Sequence, residues 1–237
     1  SQTYDQAADF VITHFQKFSP KMAHLAKYAL EHRWVEAENR PNKRPGGYMD
    51  NLPETQESRI FMTFTGSPND TATLAHELGH AFHADVIKDL PLWRQDYAMN
   101  VAETASTFSE LIVADASVKA AHDPKTKLQL LDTKMQNPLA MFLDIRARFL
   151  FETRFYDARK RGIVTPDELS ALMLAAQKEA YGNALTTYHP MFWASKLHFY
   201  LSDVPFYNFP YTFGYLFSLG IYAQAKQQPD FEERYIA

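Results

Sequence analysis

Residues 76–80 read HELGH. Two histidines four apart on a helix project from one face, one turn apart. Two imidazoles so placed can hold one Zn²⁺. Glu77 lies beside them in sequence but about 100° away around the axis, given 3.6 residues per turn. It can therefore reach a water that zinc has made acidic, with a pKa of about 7, without displacing a ligand. Such a set is suited to the attack of water on a carbonyl, with Glu77 as general base. HExxH also arises by chance on amphipathic helices, so the motif needs independent support.

A catalytic zinc takes a third protein ligand and keeps one position open. The chain has no cysteine, so the ligand must be His, Asp or Glu. His83 shares the stripe of His76 and His80, but seven residues at 1.5 Å rise put it about 10 Å from His76 along the axis. That spacing suits packing or a supporting contact better than a shared tetrahedral ion. Asp85 falls on the opposite face. Glu103 opens the segment ETASTFSE, on the next expected helix. A short connection over 91–96 lets that helix fold back antiparallel, so that Glu103 faces the histidine pair. Ser106 and Glu110 follow on the same side, and an acid at Glu110 can orient a metal-bound imidazole through its second ring N–H.

Several elements must position these residues. Ser67, Pro68 and Asp70 form a helix start of cap, first-turn proline and third-position acid, so the motif helix is expected over 68–90. The β-branched and aromatic run RIFMTFT, 59–65, predicts a strand just before it. Helices are expected over 5–38, split at Pro20, over 97–121, and over 125–161 with a break at Pro138. Thr165, Pro166 and Glu168 signal another helix, ending near Gly182. Residues 40–48 read as loop and 183–205 as irregular, aromatic chain, and a last helix is expected over 208–226. The fold class is mainly α with a small β-sheet.

Composition narrows the field. The 237 residues are 46% hydrophobic, enough for a substantial core, and a single catalytic domain over 1–237 is expected. A net charge of -4 gives no basic excess to neutralise phosphates, so nucleic acid is not an expected partner. No apolar run approaches the roughly 20 residues of a membrane span. The opening SQTYDQAADF has neither a basic stretch nor an apolar one, so it does not read as a signal peptide. The absence of cysteine is compatible with the cytoplasm.

HELGHAFH followed by ETAS resembles the oligoendopeptidase F and thimet oligopeptidase family of zinc metallopeptidases. KRPGGY, RIFMTFTG and HFY…PFYNFPYTFG point to the oligoendopeptidase F branch, and the likeness runs in order through nearly the whole chain. The resemblance implies a zincin-like helical catalytic domain with a deep cleft, one zinc, and cleavage of short to medium oligopeptides. It places the zinc ligands on His76, His80 and Glu103 and the general base on Glu77. It implies transition-state donors at His198 and at Tyr207 or Tyr211. A tetrahedral oxyanion needs such donors, and Tyr207, Tyr211 and Tyr215, at four-residue spacing, share one face if that stretch is helical. It also implies helices before and after this segment, so the chain is expected to be a piece of a longer protein.

Two rival readings remain. A metallocarboxypeptidase would need a cation for the substrate's C-terminal carboxylate, with Arg59, Arg94 and Lys196 as candidates. A non-catalytic peptide-binding module would have no need of Glu77. The remaining histidines, His14, His24, His32, His122 and His189, fit no ligand spacing and read as surface or packing residues.

Overall fold

The computed structural model describes residues 2–44, 46–228 and 231–237. Helices α1 (Tyr4–Phe18) and α2 (Pro20–Glu31) come first, and strands β1 (Val35–Glu36), β2 (Gly47–Leu52) and β3 (Glu57–Met62) follow. Next come α3 (Pro68–Ile87), the short α4 (Leu92–Gln95) and α5 (Thr104–Ala120). Then come α6 (Pro124–Leu139), α7 (Ile145–Arg159), α8 (Pro166–Ala180), the short α9 (Phe192–Ser195), α10 (Phe209–Ala225) and α11 (Phe231–Ile236). The fold is mainly α with one three-stranded sheet among the described residues, as expected.

The chain divides into two compact units, 1–130 with 214–237, and 131–213. In the first, α1, α2, α3 and α5 enclose an apolar core that includes Val11, Phe15, Met22, Leu74, Leu78 and Phe108. Fully burying one such side chain contributes about 1.5–3 kcal/mol. The sheet has the order β1-β3-β2, with β1 parallel and β2 antiparallel to β3, so β2 is an edge. Ile60 and Met62 of β3 turn into the core beneath α3. The second unit packs α7 and α8 around Phe151, Met173 and Ala176, with Trp193 and Phe199 against them. No helix among the described residues is long and apolar enough to cross a membrane.

The start signals formed where expected. Ser67 Oγ accepts from the Asp70 N–H, and Asp70 accepts from the Ser67 N–H at 2.9 Å, closing a capping box at α3. Thr165 and Glu168 do the same at α8. Other boundaries differ. Helical periodicity over 5–38 ends in fact at Glu31, because Arg33 takes a left-handed φ of 59° and Trp34 is buried, which turns Val35 into the sheet. Strand β2 begins inside the expected loop 40–48, at Gly47 and Tyr48, and runs on to Leu52. The helix expected from 97 begins at Thr104, after α4 and one 3₁₀ turn at Met99–Val101. Pro138 does not stop its helix. The α-helix gives way one residue later to a π turn over Ala140–Asp144 that leads into α7, so the break expected at Pro138 appears as a change of helix type. Helix α11 was not anticipated. Its Phe231 and Tyr235 join the aromatic cluster of Phe18 and Phe108, contacts distant in sequence.

Candidate metal centre

Helices α3 and α5 can approach closely because the motif carries glycine at its fourth position. A Cβ on residue 79 would lie 2.5 Å from Ser109 Oγ and 2.7 Å from the Ala105 carbonyl oxygen. Any side chain there would push α5 away. With glycine, the first turn of α5 comes level with the histidine pair on α3.

Glu103 is the N-cap residue of α5, yet its side chain makes no capping bond. Its carboxylate turns to the histidines instead. His76 Nε2 lies 3.2 Å from Glu103 Oε2, His80 Nε2 lies 3.4 Å from the same oxygen, and the two Nε2 atoms are 3.2 Å apart. A zinc ion about 2.0–2.1 Å from each ligand, in tetrahedral coordination, needs ligand atoms about 3.3–3.4 Å apart. The observed triangle fits that demand, and two imidazoles with one carboxylate are a usual zinc donor set.

The surroundings prepare each group. His76 Nδ1–H donates to Glu110 Oε1 at 2.5 Å, which fixes the tautomer and leaves Nε2 directed at the triangle. Ser106 Oγ lies 3.0 Å from Glu103 Oε2. Glu103 is 2% exposed. In the metal-free protein burial opposes ionisation of Glu103, but hydrogen bonds from His76 and His80 outweigh it and hold the carboxyl well below its usual range. Burial likewise opposes protonation of His76, but Glu103 and Glu110 outweigh it and hold the imidazole well above its usual value. A metal must therefore displace a proton from this site. Glu77 is 4% exposed. Burial pushes its carboxyl up, with the charges of His76 and His80 pulling the other way. A buried carboxylate with a raised pKa is a stronger base than one in solvent. Glu77, His76 and Glu110, together with Gly47 of edge strand β2, line a cavity of about 230 Å³.

The aromatic cluster lies in the second unit up to Phe213. His198 Nε2 is 3.1 Å from the Tyr211 hydroxyl, and the Tyr207 and Tyr211 rings meet edge to face at 5.9 Å. Tyr207 precedes α10, in keeping with a last helix expected from 208, so only Tyr211 and Tyr215 of the three lie on that helix. Tyr215, within α10, is buried, and burial together with the charge of Glu110 raises its hydroxyl pKa.

The sequence pattern of peptidase family M3 matches residues 14–235. The chain belongs to peptidase family M3. It is 26% identical to Oligopeptidase PepF of Bacillus subtilis over 99% of this chain and 35% of that protein. It is 26% identical to the chromosomal Oligoendopeptidase F of Lactococcus lactis subsp. cremoris over 84% of this chain and 33% of that one. It thus spans about a third of the length of the curated relatives it matches. Among solved structures, PZ peptidase A with an inhibitor superposes on all of this chain and 42% of its own, with a TM-score of 0.85 and 18% identity. That likeness shows that the two share a fold.

Within this M3 chain, His83 stays outside the convergent triad. Its ring packs at 4.5 Å against Tyr97, and burial lowers its pKa. His32 stacks on Tyr28, and His14 leans on Phe10. Tyr97 and Gly47 escaped the reading of the sequence. Tyr97 lies in the connection before α5, which the expected helix over 97–121 had covered. Gly47 belongs to a strand disguised as a loop, and the double glycine of KRPGGY was the only available signal.

Proposed function

We propose that this chain is the catalytic part of a zinc-dependent endopeptidase that cuts internal bonds of short to medium oligopeptides. The observation that carries this reading is the convergence of His76, His80 and Glu103 at zinc-ligand spacing, with buried Glu77 beside them. The names of the M3 relatives support it. His76, His80 and Glu103 would hold the zinc ion, which would supply Lewis acidity for polarising a carbonyl and acidifying water.

The chain's own residues do the rest. Glu77 takes the proton of the attacking water and hands it to the leaving amine. Glu110 keeps the His76 ring in the tautomer that presents Nε2. Strand β2 is a sheet edge whose Gly47 borders the cavity, so an extended peptide can add alongside it through main-chain hydrogen bonds. His198 and Tyr211 donate to the oxyanion, with Tyr207 as the other tyrosine of that cluster. Arg59, one cation that a carboxypeptidase would require, is engaged with Glu57.

An internally quenched peptide tests the reading. Hydrolysis is expected to stop on chelation and to return with added zinc, and mass spectrometry should locate the cuts at internal bonds. Release of C-terminal residues alone would favour the carboxypeptidase. Zinc-loaded protein that binds the peptide without cutting it would favour the binding module.

Tyr211→Phe tests the donor. It deletes one hydroxyl and keeps the ring, and it is expected to lower kcat by about 10²–10³-fold with KM little changed. A kcat within about threefold of wild type, far short of a usual donor effect, would make the His198–Tyr211 contact a packing feature.

A further inference from the structure

Glu103 bears the carboxylate of the triad, but it stands at the N-cap of α5 rather than inside the helix. The backbone there has lost the side-chain cap that usually anchors a first turn. Something else must hold it. The portion of α10 from Gly214 onward does so. A Cβ on residue 214 would lie 2.7 Å from both the carbonyl carbon and oxygen of Glu103 and 3.0 Å from its Cβ. These are backbone and near-backbone atoms, which cannot swing aside as a flexible side-chain tip can. One turn later, Ser218 is fully buried on the same face of α10. Its Oγ lies 2.7 Å from Thr107 Oγ1 and 2.8 Å from the Thr104 carbonyl oxygen. Thr107 Oγ1 in turn donates to the Glu103 carbonyl. A contact that only glycine permits and a buried hydroxyl relay thus both end on the same residue.

We propose that Gly214 and Ser218 are positioning residues that set the place of Glu103 and thereby the affinity of the centre for zinc. The inference rests on the metal-centre reading above. Neither residue touches the ion or the peptide in this role. Gly214 lets α10 lie directly on the Glu103 backbone, and Ser218 fixes the register of that contact. A displacement of a few tenths of an ångström at the Glu103 backbone is carried to Oε2, where it spoils a triangle whose edges match the demands of tetrahedral zinc.

The test measures zinc dissociation constants of the full-length protein by competition with a chromogenic chelator. The visible spectrum of the cobalt-substituted protein serves as a second readout. Gly214→Ala is expected to weaken zinc binding by about 10–100-fold, the usual range for supporting contacts of a metal ligand, and to alter the cobalt spectrum. Alanine favours a helix over glycine, so a loss cannot be ascribed to helix propensity. Gly220→Ala is the control on the same helix, since among the described residues nothing beyond its own helix backbone and chain neighbours lies within 4 Å of a Cβ there, and it should leave both readouts unchanged. Ser218→Ala adds no bulk and is expected to weaken zinc by about 2–10-fold, the range of one hydrogen bond. It decides the matter if Gly214→Ala does not fold. Zinc affinity within twofold of wild type in folded Gly214→Ala, or in Ser218→Ala where that variant alone folds, overturns the inference. Wild-type protein without tight zinc binding would instead sink the metal-centre reading itself.

Discussion

Glu77→Gln is expected to lower turnover by about 10²–10⁴-fold while the protein keeps its zinc. The substitution is nearly isosteric, and Glu77 contributes no atom to the metal triangle, so the ligand set stays intact. The amide cannot accept a proton, which removes the base without opening the cavity. Burial makes the contrast larger. At 4% exposure Glu77 has little access to bulk water, and no buffer molecule can readily take over its part. Turnover would be measured with the quenched peptide at saturating concentration, beside metal content from elemental analysis. Zinc-loaded Glu77→Gln with wild-type kcat would show that another group takes the proton.

Glu103→Ala is expected to strip the site of zinc. Two imidazoles from one helix leave the ion short of the three protein ligands that a catalytic site requires. The buried pocket of Glu103 holds no other carboxylate oxygen at ligand distance from both histidines among the described residues. Activity should vanish with the metal, and circular dichroism should show the helices retained. His83→Ala is the comparison. If Glu103→Ala kept full zinc while His83→Ala lost it, the ligand set would be wrong. The wild-type protein offers a second check through pH. The metal-free His76 imidazole holds its proton well above the usual range, because Glu103 and Glu110 outweigh the effect of burial. Zinc needs the lone pair that this proton occupies. Affinity should therefore fall as pH drops through that raised pKa, rather than only below the ordinary histidine range.

Local pattern alone determined a good deal of this protein. The His76–His80 spacing and the Ser67–Asp70 box that starts α3 depend on helix geometry and capping. Both act over a few residues and so are written in adjacent positions. The order of HELGH, ETAS and the C-terminal aromatic run carried the family. Only tertiary structure decided the rest. Val35 leaves the helical pattern because its strand partner, Ile60, lies 25 positions on. Strand β2 exists because β3 pairs with it, against a composition that reads as loop. The anchoring of Glu103 was the least legible feature. Gly79 and Gly214 look like ordinary helix-weakening glycines in sequence. Their purpose is visible only when the opposing backbone, from a segment 26 to 111 residues away, is seen at the place where a Cβ would stand.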